Sequence, residues 1–139
     1  MRLALAFALL APVALSTPAL AQQETPDPID TALSKCLDSP AGESTQGMVE
    51  CIDKAYRSWD AALNKVYGEL MKQLDPKSAA LLKASQLKWI AYRDAEKDFF
   101  AGPWTADRGT IIAVTLDQAG ADIVKDRVLV LRGYLPEEH

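Results

Sequence analysis

Histidine is all but absent from this chain: its single copy, His139, is the last residue. Serine and cysteine nucleophiles generally recruit a histidine base, and a C-terminal one is poorly placed to serve. The 7 glycines form neither a phosphate-cradling loop nor a dinucleotide fingerprint. Carboxylates number 19, so composition leaves room for a glycosidase-type acid pair, but nothing singles out two of them from a solvated surface. Cysteine is scarce as well, with 2 in the chain and no Cys-x-x-Cys motif, which excludes the usual zinc ligand sets. No metal and no cofactor is implied. Beyond the N-terminal segment, no apolar run approaches the roughly 20 residues that a membrane-spanning helix needs. These gaps favour a protein that acts by binding rather than by catalysis.

What the chain does possess begins at residue 1. Arg2 supplies a positive charge, and an apolar run from Leu3 to Leu15 follows, interrupted only by Pro12. Small and polar residues then lead to Ala19-Leu20-Ala21. Charge, apolar core and small-x-small site is the order a signal peptidase reads, so residues 1–21 are expected to be a cleaved signal peptide, with an uncleaved anchor as the alternative. Gln22, not the cysteine that lipoprotein processing acylates, follows the site. Cleavage leaves residues 22–139, one domain's worth of chain, expected to be soluble and periplasmic. It also removes Arg2, so the mature chain is one unit more acidic than the formal −4 of the whole. An acidic surface argues against nucleic acid and anionic membrane as partners and favours a basic protein. In an oxidising compartment Cys36 and Cys51 are expected to form a disulfide. Closing the loop between them stabilises by roughly 3 kcal/mol in the chain-entropy model.

Residues 22–28 carry two prolines and nothing to bury, and read as a disordered lead-in. A short helix from Ile29 to Leu37 carries Cys36, and Asp38 to Gly42 reads as a turn. The clearest periodicity follows: Met48, Ile52, Ala55, Trp59, Ala62, Val66 and Leu70 are spaced by threes and fours. Cys51, Leu63, Tyr67 and Leu74 widen this face, while Asp53, Lys54, Arg57, Lys65, Glu69 and Lys72 lie opposite. Ser44 or Thr45 is the expected N-cap, and the Asp75-Pro76 step ends the helix. A second long helix, opening at Pro76 or Lys77, runs to Phe99 and Phe100 and stops at Gly102-Pro103. So tight a turn predicts antiparallel neighbours. The last segment, from Asp107 to Leu135, is rich in β-branched residues and would suit a hairpin turning at Gly120. The spacing of residues 112, 116, 119, 123, 127, 131 and 135 also fits a helix, and no other strand is available to extend a hairpin. The expectation is therefore an all-α domain over residues 29–135: a small antiparallel bundle of one short, disulfide-tethered helix and about three longer ones.

Several polar residues lie on or beside the apolar faces. Asp60 and Asn64 are one turn apart. Gln86, Trp89 and Arg93 share a face of the next helix, with Asp94 adjoining, and Arg127 sits among apolar residues. Two readings stand side by side. One is a recognition surface centred on an aromatic and an arginine, the residue types of binding hot spots. The other is an interhelical network in which Arg93 or Arg127 pairs with Asp60 or Asp94 and Asn64. Trp59 and Trp89 read as core, and Trp104 as the more exposed tryptophan.

The same residues carry a resemblance. Cys51, then Asp60-x-x-Leu63-Asn64-x-x-Tyr67-x-x-Leu70, then Gln86-x-x-Trp89-x-x-Tyr92-Arg93-Asp94-Ala95-Glu96, then Arg127-x-x-x-Leu131, resembles the lysozyme inhibitor LprI-like N-terminal domain. The likeness extends over residues 36–132 and is most specific between Gln86 and Glu96. It implies an exported, helical, cysteine-containing bacterial domain, and its name comes from a member that inhibits lysozyme. Members often carry a cysteine where Lys97 stands, and its partner is expected near Ala119, so the second bridge of the family is missing here. The resemblance implies an inhibitor of lysozyme or a related cell-wall hydrolase, commonly a basic enzyme that an acidic protein would attract. The competing expectation is a periplasmic interaction or scaffolding module with another envelope protein.

Overall fold

The computed structural model describes residues 25–136. The signal-peptide segment, the first residues of the lead-in and His139 lie outside them. Among the described residues the chain forms four α-helices: α1, Pro28–Leu37; α2, Thr45–Gln73; α3, Pro76–Phe100; and α4, Ile111–Arg132. Short 3-10 turns at Pro40–Gly42 and Pro103–Thr105 connect them, and no strand occurs. None of these helices is long and apolar enough to cross a membrane.

Each start is chemically marked. The Asp27 carboxylate accepts from the Ile29 N–H at 2.8 Å, with Pro28 in the first turn. Ser44 accepts from the Gly47 N–H at 3.0 Å. Asp75 accepts from the N–H groups of Lys77 and Ser78 at 2.9 and 3.1 Å, so the residue that ends α2 also caps α3. These bonds satisfy amides that the first helical turn leaves unpaired. Before α4 the chain turns at Gly109, whose φ of 71° lies in the left-handed region that favours glycine.

The core is the seam between α2 and α4. Trp59, Leu63, Val66 and Leu70 of α2 interlock with Val124, Val128 and Leu131 of α4. The first halves of the two helices also meet, Ile52 lying across from Leu116 and Gly120. They therefore run in the same direction, with α3 antiparallel to both. The tight turn does make α2 and α3 antiparallel, and Lys97 reaches back to Tyr56. Yet α2 buries most of its apolar face against α4, and Gln86 is the one fully buried residue of α3. The last segment is a helix, but its buried line runs through Gly120, Ala121, Val124, Val128 and Leu131, while Ile123 and Arg127 are only part-buried.

Helix α1 lies across this seam. The Cys36–Cys51 disulfide, with Cα atoms 5.7 Å apart, ties its end to α2. Its start is tied to α4 by Asp27–Arg132 at 2.6 Å and Asp30–Lys125 at 2.8 Å. The lysine and arginine heads stand 5.8 and 5.5 Å from the Trp59 ring, covering the edge of the core with alkyl stems and cationic tips. Asp27 thus belongs to the folded domain, two residues before the expected start of the helix. Burial pushes its carboxyl up. The hydrogen bond from Arg132, the Ile29 N–H and the charges of Arg132 and Lys125 outweigh that and hold it below the ordinary 3.8.

Candidate functional site

The polar residues singled out by the sequence do not gather into one site. Asn64 donates to its own helix at the Asp60 carbonyl, 3.0 Å, and to the Asp60 carboxylate, 3.3 Å. Arg93 stays on α3. Its guanidinium lies 5.4 Å from the Trp89 ring centre, and its Nε and Nη2 donate to the adjacent Asp94 at 2.9 and 2.7 Å. Arg127 crosses between helices but finds no carboxylate: Nε donates to Gln86 Oε1 at 3.0 Å and Nη2 to Ser85 Oγ at 3.2 Å. The expected pairing of an arginine on α3 or α4 with Asp60 is therefore absent. The one-turn spacing from Trp89 to Arg93 holds that guanidinium over the indole, and Asp94 is the carboxylate beside it. Tyr67 and Trp89 pack against the core, and Tyr92 points outward on α3. Gln86, Trp89 and Arg127 thus join α3 to α4 and the core rather than forming one concave surface.

A concave surface does exist, one turn farther along. The first half of α2, the end of α3 and the start of α4 diverge around a groove of about 600 Å³. Ile52, Phe100, Ile112 and Leu116 form apolar walls, and Asp53, Asp117, Tyr56 and Lys97 stand around them. Gly120 contributes a bare patch: it is buried in the fold, yet a Cβ there would meet no heavy atom within 4 Å. Ala101 and Thr105 close one end. Trp104, beside that end, is half-buried, more exposed than the fully buried Trp59. Its ring stacks on Phe99 at 4.8 Å, its Nε1 donates to the Phe99 carbonyl at 2.6 Å, and Arg108 covers its face at 4.7 Å.

The electrostatics of the groove are asymmetric. Lys97 donates to the Tyr56 hydroxyl at 2.7 Å, so the cation on the rim already has a partner. Asp53 is paired with Arg57 at 2.7 Å on the solvent side. Asp117 is different. Partial desolvation against the groove wall pushes its carboxyl above the ordinary 3.8, and the charge of Asp53 adds to the shift. A carboxylate disfavoured in this way gains when a cation arrives. The site offers apolar contact along its walls and a negative end for a lysine or arginine. Sequence patterning did not reveal it, because Asp53 and Asp117 lie on different helices and each reads alone as part of a solvated face.

The family model described as lysozyme inhibitor LprI matches residues 36–131, most of the described chain. The chain belongs to this family. It is also similar to a solved structure, the crystal structure of an uncharacterized protein from Burkholderia thailandensis, at 29% sequence identity and a TM-score of 0.73. That match covers 78% of this chain and 53% of the other, so this chain spans about half the length of that structure. No curated protein matches. Lys97 lies within the matched residues. Here its ammonium ties α3 to Tyr56 of α2.

Proposed function

We propose that this LprI family protein is exported and inhibits a lysozyme-type cell-wall hydrolase by docking it at the groove between α2, α3 and α4. The observation that carries this reading is the family match over residues 36–131. The groove supports it chemically. Inhibition needs a surface complementary to the enzyme and no catalytic apparatus of its own. Apolar walls give area, and Asp117 with Asp53 gives charge opposite to that of a basic enzyme. A lysine or arginine of the hydrolase enters beside Asp117, with its alkyl stem against Ile112 and Leu116. The signal-peptide pattern of residues 1–21 supports export into the envelope, where such an enzyme is met.

The test is a turnover assay in which the mature chain, in excess, is added to lysozymes of several types on peptidoglycan. Inhibition by the wild-type chain is expected, with loss of it in Gly120→Leu. That substitution fills open space in the groove and replaces a helical glycine, which on propensity alone stabilises α4 by up to about 1 kcal/mol. Asp117→Asn is expected to weaken binding and to flatten its pH dependence. In the wild type, affinity falls as pH drops through the raised Asp117 pKa. Full enzyme activity in every mixture, with no detectable complex, defeats the proposal.

A further inference from the structure

Helix α3 presents a second apolar face, away from α2 and α4. Leu81, Leu87, Tyr92 and Phe99 are all exposed on it. Between them the centre of the face is alanine: Ala80, Ala84, Ala91 and Ala95, every one exposed. The inward face holds Leu82, Gln86, Trp89 and Phe100, so this 25-residue helix is apolar on both sides. A helix buried on one side only carries polar residues on the other. Trp104 stacks on Phe99 at the end of this face, and the rest of it, from Ala80 to Ala95, is exposed among the described residues.

Its charges are ordered along the helix. The first half carries Lys77, Lys83 and Lys88, and the second half carries Asp94, Glu96 and Asp98. Lys97 is engaged with Tyr56 and Arg93 with Asp94, so Glu96 and Asp98 are the anions of this end left without an ion pair among the described residues. A face that is basic at one end and acidic at the other complements itself when turned end for end. We infer that this face binds a second copy of the chain, α3 lying antiparallel against α3 about a twofold axis near Leu87 and Lys88.

The register follows from the spacing. With the axis between positions 87 and 88, Ala80 lies opposite Ala95 of the second copy, and Ala84 opposite Ala91. The same register sets Lys77 opposite Asp98. By symmetry each match occurs twice, as an isologous interface requires. Alanines at the centre allow close backbone approach, while Leu87 and the Leu81–Tyr92–Phe99 edge close over the sides. No charged residue is forced against its own kind at the two ends. The groove is lined by the opposite side of α3, through Lys97 and Phe100, so pairing leaves both grooves open. A two-headed molecule gains avidity for enzymes held on one polymer. The pairing itself does not depend on what the groove binds.

The experiment is sedimentation velocity on the mature chain over a wide concentration range, with circular dichroism on every variant. The wild type is expected to shift from monomer to dimer as concentration rises. Ala91→Arg, at an exposed position and with a good helix former, is expected to be folded and monomeric throughout. Lys77→Asp and Asp98→Lys each set like charges together at both ends and are expected to weaken the dimer about tenfold. Combining them restores opposite charges, and the double variant should return to near the wild-type dissociation constant. A wild-type chain that stays monomeric at every concentration overturns the inference. So does a dimer indifferent to Ala91→Arg, and so does a charge-swapped double variant that stays as weak as the single ones.

Discussion

Gln86 is where the structural reading of the family signature is most exposed to test. It is 9% exposed, the only fully buried residue of α3, and its Oε1 accepts from Arg127 Nε at 3.0 Å. Gln86→Met keeps the volume and the unbranched shape but removes the acceptor. Arg127 then keeps only its 3.2 Å bond to Ser85. Hydrogen bonds to a charged group contribute about 1.5–3 kcal/mol. Arg127 is part-exposed and regains water on one side, so the lower end applies: a loss of about 1.5 kcal/mol. For a domain of this size that lowers Tm by roughly 5–8 °C. The assay is urea and thermal unfolding of the wild type, Gln86→Met, Arg127→Met and the double variant. The double variant should be about as stable as either single one, with a coupling energy of about 1.5 kcal/mol. A Gln86→Met protein as stable as the wild type, or singles whose losses simply add, refutes the view that this pair holds α3 in place.

Three further outcomes follow from the same contacts. Replacing both Cys36 and Cys51 by alanine should cost about 3 kcal/mol, and amide exchange should rise first in α1, which the disulfide ties to α2 at its end. Leu131→Ala, at a residue 0% exposed in the core, should cost about 2–5 kcal/mol, whereas Leu129→Ala, at 46% exposed two residues away, should stay within about 0.5 kcal/mol; equal losses in denaturant titration would contradict the assigned face of α4. Asp27 has its folded pKa held below the ordinary 3.8, so the stability it lends is present above that value and fades as pH falls toward the folded pKa. Asp27→Asn keeps a capping side chain but loses the charge paired with Arg132. The gap between wild type and variant, about 1 kcal/mol at neutral pH, should close in acid when followed by unfolding at stepped pH.

Why some of this was legible in the sequence and some was not has physical causes. Helix α2 was readable because one apolar face, from Ile52 to Leu70, meets a continuous wall while charge covers the other side. Its caps and stops were readable because Ser44, Asp75 and Pro76 act locally, within one turn. Helix α4 was ambiguous because Ile, Val and Thr satisfy a strand pattern as well as a helical one. The helical spacing took in Leu131 but not Val124 or Val128, which the rotation of the helix buries beside it. The sequence offered Asp94 to Arg93, which does meet it along α3, but it did not give the partner of Arg127. Whether Arg127 meets Asp60 or Gln86 depends on helix rotation, which sequence spacing does not specify. The groove was invisible for a stronger reason: its walls come from three helices, and its chemistry rests on the desolvation of one carboxylate beside another.

That division bears on how function in this fold should be tested. Gln86, Trp89 and Arg127 set the distance of α3 from the α2–α4 seam, and the same helix supplies Lys97 and Phe100 to the groove. A substitution at the signature can therefore abolish binding while touching no partner, simply by letting that wall move. Loss of activity in such a variant does not make the residue a contact. Gly120→Leu works in the opposite sense, because it changes the groove while adding helix propensity to a frame whose other contacts are intact. The Lys97–Tyr56 bond lies between these cases. It ties α3 to α2, and it is a single hydrogen bond at the rim. Lys97→Met should leave global stability nearly unchanged, within about 0.5 kcal/mol, since both partners are at the surface. It should still loosen the groove wall, seen as faster amide exchange over the last turns of α3 and a weaker complex. Unchanged exchange there would mean that Phe100 and the Trp104 stack already hold the wall without help from the lysine.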